Sequence, residues 1–206
     1  MSAQPKLQRK YTVEEYIELL KNSDERFEYF DGEILSMAAG KIVHSEIESN
    51  LGRHIGNLLT ERPCRVISSS AAIKTVKAPP FRMADVSVVC GEKQIEDYRG
   101  IEMLLNPVFI CEVLSPKTER YDRDDKFIAY QAIDSFQEYL LVEQERAHVI
   151  RYRRQPDNKW VRSDVIGLDS SVELESLGIT VSLSEIYRMI EFPAPEADTL
   201  TSDQAD

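Results

Sequence analysis

No apolar stretch in the 206-residue chain approaches the ~20 residues that a membrane-spanning helix requires, so no span is expected. The opening residues, Met1-Ser2-Ala3-Gln4-Pro5-Lys6, lack the apolar core of a secretory signal, and none is expected. Cysteine is scarce. Cys64, Cys90 and Cys111 are odd in number and widely spaced, and they match neither a disulfide framework nor a zinc site. Cys90 and Cys111 end or sit in apolar runs and read most simply as buried thiols, which points to a reducing cytoplasm. Positive charge is also short: 25 basic residues face 36 acidic ones, for a net charge of -11 and a pI near 4.9. A nucleic-acid binder normally presents a basic face, so a large DNA footprint is disfavoured. Local basic clusters in residues 146–154 and 120–126 leave room for a small positive site. Three bases near a turn (Arg151, Arg153 and Arg154) are more usually a solvated face than a phosphate contact. There is no P-loop, no GxGxxG, no Ser-His-Asp signature and no internal repeat.

What is present is an ordinary composition, 42% hydrophobic and 30% charged, at single-domain length. Residues 1–10 are polar and expected to fray, and residues 11–192 read as one domain. Residues 193–206 hold four acids and no base and read as a disordered tail. Thr12 and Glu15 form a capping-box signature for a helix whose apolar face carries Tyr16, Leu19 and Leu20. Residues 26–37 read as a hairpin around Asp31-Gly32. Residues 43–61 place Ile47, Leu51, Ile55 and Leu58 or Leu59 at helical spacing. Strands are expected within 64–76, 83–90, 108–115 and 138–143, and a hairpin from 148–152 and 160–165. Residues 91–106 read as a polar connection with a short helical piece. Residues 122–135 read as a second amphipathic helix. Ser182 or Ser184 caps a last short helix ending near residue 190. This order predicts an α/β or α+β fold: a mixed β-sheet flanked by helices, with an N-terminal helix and β-hairpin.

One residue breaks the pattern. Glu112 lies inside Val108-Phe109-Ile110-Cys111-Glu112-Val113-Leu114-Ser115, otherwise a continuous apolar run of the kind that forms a strand covered on both faces. Burying an unpaired carboxylate costs several kcal/mol or more. Such a group is retained when a cation neutralises it or when it does chemistry; the bland reading is a structural ion pair. Asp85 is a second acid, at the start of the Val86-Ser87-Val88-Val89 strand, where it could equally be a turn residue. Two carboxylates converging from neighbouring strands would make a hard oxygen site suited to Mg²⁺ or Mn²⁺. Lys126 shares a helical face with Tyr130 and Ile133, so its ammonium could reach the strand ends, or it could snorkel to solvent. Arg120, Arg123 and Lys126 alternate with Asp122, Asp124 and Asp125, which reads as a solvated helix start.

Asp85, the Glu112-Val113-Leu114-Ser115-Pro116-Lys117-Thr118 segment, Lys126, Tyr130 and Glu138-Tyr139-Leu140-Leu141-Val142 together resemble the Uma-two family of bacterial restriction endonucleases, within the PD-(D/E)XK nuclease superfamily. Phe27-Glu28-Tyr29-Phe30-Asp31-Gly32-Glu33, His44 and the segment from Leu177 to Tyr187 extend the resemblance over roughly residues 11–190. The resemblance implies a restriction-endonuclease-like sheet and a Mg²⁺-dependent phosphodiesterase site acting on DNA, with Asp85 and Glu112 as metal ligands. It implies Glu28 as a third acid and His44 as a residue that binds phosphate or orients water. For both, a structural role is the alternative. The chain departs from the superfamily pattern at Ala84, where proline precedes the aspartate, and at Leu114, where the motif has lysine. Lys126 is the natural migrated substitute. A catalytically inactive protein that keeps the fold for assembly or regulation is the competing reading, and a small-molecule hydrolase a third. A homodimer is expected, because twofold dimers are the commonest oligomers.

Overall fold

The capping box forms as the sequence predicts. Thr12 Oγ accepts from the Glu15 amide, Glu15 Oε2 accepts from the Thr12 amide, and helix α1 (Val13–Asn22) follows. The structure is a computed structural model that describes residues 9–193 apart from residues 24, 26, 37–40, 70 and 117. Of the expected frayed start (residues 1–10) and acidic tail (residues 193–206), residues 1–8 and 194–206 lie outside the described residues. Strands β1 (Phe27–Phe30) and β2 (Glu33–Ser36) pair around Asp31 and Gly32, whose φ values of 43° and 86° are those of a twisted two-residue turn. Helix α2 (Ile42–Leu58) buries Ile47, Leu51 and Ile55. Strands β3 (Cys64–Ser68), β4 (Ala72–Lys74), β5 (Phe81–Met83) and β6 (Val86–Cys90) come next. The expected single strand over 83–90 is therefore interrupted at Ala84-Asp85.

Residues 91–106 are not a helical connection. They form the hairpin of β7 (Ile95–Tyr98) and β8 (Ile101–Leu104), turning at Arg99 and Gly100, both with positive φ. Most of β7 faces water, so its polar sequence hid the strand. After β9 (Phe109–Leu114), the expected helix over 122–135 is three short pieces: α3 (Glu119–Tyr121), a π-helical turn (Asp122–Lys126) and α4 (Phe127–Tyr130). Strands β10 (Glu138–Glu143), β11 (His148–Arg154) and β12 (Trp160–Ile166) follow. The chain ends in a hairpin of β13 (Ser171–Leu174) and β14 (Ile179–Ser182), which was not expected, and helix α5 (Leu183–Ile186).

The main sheet has six strands in the order β12-β11-β10-β9-β6-β3. Only β9 and β10 run parallel, joined by the α3–α4 crossover; the other neighbours are antiparallel. Strand alternation sorts the core into two layers. Phe109, Cys111 and Val113 pack with the α2 stripe, whereas Ile110 and Leu114 pack with Phe127, Tyr130 and Tyr139 on the opposite face. Glu112 has the parity of the second layer. A third cluster around Tyr16, Phe81 and Met103 seats α1 and the smaller four-stranded sheet β5-β4-β8-β7.

The cysteine expectation is corrected. Cys64 and Cys90 sit directly opposite each other on β3 and β6 and form a disulfide, leaving buried Cys111 as the free thiol. Their separation of 26 positions hid a contact that the antiparallel pairing makes immediate. The argument from free thiols to a reducing compartment therefore has no support from this pair. No helix among the described residues is long and apolar enough to cross a membrane.

Candidate active site

Strands β6 and β9 pair with Val86 opposite Cys111, so one further step of that register sets Asp85 against Glu112. Two hydrogen bonds tie the pair. The Val113 amide donates to Asp85 Oδ2 at 2.7 Å, and the Asp85 amide donates to Glu112 Oε2 at 3.3 Å. The break in the strand before Val86 thus has a cause: Asp85 spends its side chain on the neighbouring backbone.

Lys126 reaches Glu112. Its Nζ lies 3.2 Å from Glu112 Oε2, 2.7 Å from Glu28 Oε1 and 3.2 Å from Asp122 Oδ1. All four side chains are almost fully enclosed, none above 3% exposed. The π turn adds a residue to the local helical repeat, a feature frequent at functional sites. Asp122 is accordingly buried against Lys126 rather than solvated at a helix start. Tyr130 donates its hydroxyl to Glu112 Oε1 at 3.2 Å, and Lys126 Nζ stands 5.5 Å from the Tyr121 ring centre. Leu114, at the position of the motif lysine, is buried in the second core layer. On the other side, His44 Nε2 approaches Asp85 Oδ2 at 3.3 Å.

Carboxylates outnumber cations here. Burial pushes Glu112 well above the ordinary glutamate value; Lys126 opposes the shift, and Asp85, Asp122 and Glu28 add to it. Burial likewise raises Glu28 and Asp122 against the pull of Lys126. Burial alone would lower Lys126, but Glu112, Glu28 and Asp122 outweigh it and hold the ammonium well above its usual value. Asp85 moves the other way. Burial would raise it, yet His44, Lys126 and the Val113 amide leave it lowered. Burial opposes the charged form of His44 too, and the Asp85 carboxylate more than compensates. Among the described residues, Glu28 Oε2 accepts no hydrogen bond although it is buried. An unsatisfied buried carboxylate oxygen costs stability unless a cation or proton meets it.

The five residues singled out in the sequence, Asp85, Glu112, Lys126, Glu28 and His44, thus converge. Two further acids were missed. Asp122 was concealed in a run of alternating charge. Glu48, one turn after His44 on α2, gave a signal only as an i, i+4 pair. His44, Glu48 and Asp85 each present a ligand-type atom, all within 4.8 Å of one another, a group with the composition of a cation site. The arginines of β11 are committed elsewhere. Arg151 binds Glu138 and Glu175, Arg153 pairs with Glu175, and Arg154 donates to backbone carbonyls.

A mixed sheet flanked by helices carries buried acids at the junction of two central strands, and comparison with known proteins places this architecture among nuclease-like folds. The chain belongs to the Uma2 family, described as "Putative restriction endonuclease", whose model matches residues 13–184. Among curated proteins it is similar to slr1290 of Synechocystis sp., an uncharacterized protein, at 33% identity over 183 residues (89% of this chain, 94% of the relative). A second uncharacterized Synechocystis protein, sll1609, is 27% identical over 168 residues (82% of this chain, 94% of the relative). The crystal structure of a "putative nuclease belonging to DUF820" from Anabaena variabilis shares the fold at a TM-score of 0.67 and 18% identity. That match covers 85% of this chain and 97% of the other.

Proposed function

We propose that the protein is a metal-dependent endonuclease that hydrolyses DNA phosphodiester bonds. The observation that carries the reading is the contact of Lys126 with Glu112, inside a buried site whose carboxylates outnumber its cations. The donor chemistry suits a divalent ion: Asp85 and Glu112 are carboxylates on adjacent strands, and Asp85 belongs to the group of close ligand-type atoms with His44 and Glu48. In this reading Asp85 and Glu112 hold Mg²⁺ or Mn²⁺, which supplies Lewis acidity and a more acidic water. Lys126 acts as a fixed cation and not as a base, because its carboxylate neighbours keep it protonated at neutral pH. From there it can neutralise charge developing on a phosphate. Glu28 and Asp122 hold Lys126 in place, and Tyr130 orients Glu112. His44 lies on the far side of Asp85, within reach of a ligand bound there.

The reading extends to a cytoplasmic homodimer, in which two sites would serve the two strands of a duplex; a sedimentation mass of one chain would remove that part. The central test is cleavage of plasmid and single-stranded DNA in Mg²⁺ or Mn²⁺. Wild type is expected to cut, and Glu112→Gln to lose at least ~100-fold in rate, as when a group stabilising transition-state charge is removed. Equal cleavage by both proteins would refute the assignment.

A further inference from the structure

We infer that His44 and Glu48 of α2 complete the cation site at Asp85, and that this mixed nitrogen and oxygen donor set selects Mn²⁺ over Mg²⁺. The inference rests on the preceding reading in one respect: a divalent ion binds at Asp85. It goes beyond that reading in naming ligands from a helix and in predicting which ion they prefer.

The geometry is specific. His44 and Glu48 are one turn apart on α2, so their side chains stand on the same face. The apolar stripe Ile47, Leu51 and Ile55 packs that helix onto the layer containing Val86 and Val88, which brings the face to the start of β6. There the His44 nitrogen, a Glu48 oxygen and an Asp85 oxygen all lie within 4.8 Å of one another. One ion with bonds of about 2.1 Å spans at most ~4.2 Å between opposite ligands, so small side-chain shifts would bring the three atoms onto a single ion. Asp85 Oδ2, the oxygen that His44 approaches, also accepts from the Val113 amide, so the position of the carboxylate does not depend on the ion. Glu48 makes no hydrogen bond or ion pair with another described side chain, although it stands beside a histidine. Glu112 is differently employed: both of its oxygens already accept bonds, from Lys126, Tyr130 and the Asp85 amide. Next to Asp85 and His44, the donor free of protein partners among the described residues is therefore Glu48 on α2.

The chemistry then sets the preference. Mg²⁺ is a hard ion that favours an all-oxygen octahedron and keeps its waters. Imidazole suits later first-row metals, and Mn²⁺ accepts both nitrogen and oxygen donors. A site with one imidazole and two carboxylates should rank Mn²⁺ above Mg²⁺, whereas an all-oxygen site would not draw that distinction through this residue.

The test uses the full chain stripped of divalent ions by chelation. Mn²⁺ is titrated by electron paramagnetic resonance and then competed with Mg²⁺, and pulsed measurements look for a nitrogen hyperfine coupling on the bound ion. Wild type should bind one Mn²⁺ per chain with that coupling. His44→Ala should abolish the coupling and weaken Mn²⁺ on the order of 10–100-fold, at least the loss seen when only a supporting residue of a metal site is removed. His44→Asp restores an oxygen donor and should narrow the gap between Mn²⁺ and Mg²⁺, which keeps the test decisive if the alanine variant folds poorly. Glu48→Gln should weaken both ions. Mn²⁺ bound without nitrogen coupling, or an unchanged Mn²⁺/Mg²⁺ ratio in His44→Asp, overturns this inference and leaves the Asp85–Glu112 metal reading standing. No binding of either ion by wild type overturns both.

Discussion

Glu112 is a residue whose ordinary ionised state the fold works against, and this makes its titration informative. Its pKa is raised in the folded chain, so its contribution to stability is complete below the ordinary glutamate value and is lost as pH rises through the shifted one. Glu28 and Asp122 act in the same sense. His44 also has a raised value, and its contribution fades as pH climbs past the ordinary histidine range. Asp85 opposes them, since its lowered value favours the fold above the ordinary aspartate range. Above the ordinary aspartate range the contribution of Asp85 is already complete, so the raised groups set the slope there. In chelator, the thermal midpoint should therefore fall as pH rises from about 5, above the ordinary carboxylate values, to about 8, past the ordinary histidine value. Added Mn²⁺ should flatten that slope by neutralising the excess charge. Calorimetry across this range checks both parts, and a slope indifferent to Mn²⁺ would contradict the charge balance described for the site. Glu112 was legible in the sequence because a charge inside an apolar run has no cheap structural explanation, whereas Asp85 at a strand start could equally be a turn residue and drew its weight from Glu112. Asp122 was not, because a charge run looks solvated whenever a regular helix is assumed.

At the scale of elements, the π turn decides where Lys126 points. Deleting exposed Asp124 should return the segment to an ordinary helical repeat and put the preceding stretch out of step with Lys126. The core anchors Phe127 and Tyr130 would remain, so the variant should still fold. It should shift Lys126 away from Glu112 and Glu28 and lose most of its DNA cleavage. Retained cleavage at wild-type rate would show that the π turn does not position the lysine. The elements read correctly from sequence were those with strong local chemistry: the α1 capping box, the Asp31-Gly32 turn, the α2 stripe and the apolar β9. The β7–β8 hairpin escaped because three of its four β7 residues face water, which erases the alternation that marks a half-buried strand. The helix over 122–135 was extended too far because buried Phe127, Tyr130 and Ile133 keep a helical period even where the backbone has turned away.

At the scale of the whole molecule, the order of strands brings together what the sequence holds apart. The β3–β6 pairing joins Cys64 to Cys90 across a loop whose closure is worth about 3 kcal/mol in the chain-entropy account. The chain denatured without reductant should therefore expose one alkylatable thiol, from Cys111, and three after reduction. Mass spectrometry of the alkylated chain gives the count, and three labels before reduction would eliminate the bond. The β6–β9 pairing likewise makes neighbours of Asp85 and Glu112. Which strands would adjoin could be guessed from two lone acids, but the register that ties each acid to the other strand's backbone could not.

The placement of Lys126 on a helical segment, and not on β9, has a further consequence, for motion. A lysine on β9 would share the protection of a central strand from solvent exchange. Lys126 instead rides on helical pieces of three, five and four residues, too short to persist without their packing. Local opening of this segment would carry the ammonium away while both strand acids stay in register. Amide exchange should accordingly be faster over residues 119–130 than over β9. In that event the lifetime of the assembled charge cluster belongs to the segment and not to the sheet.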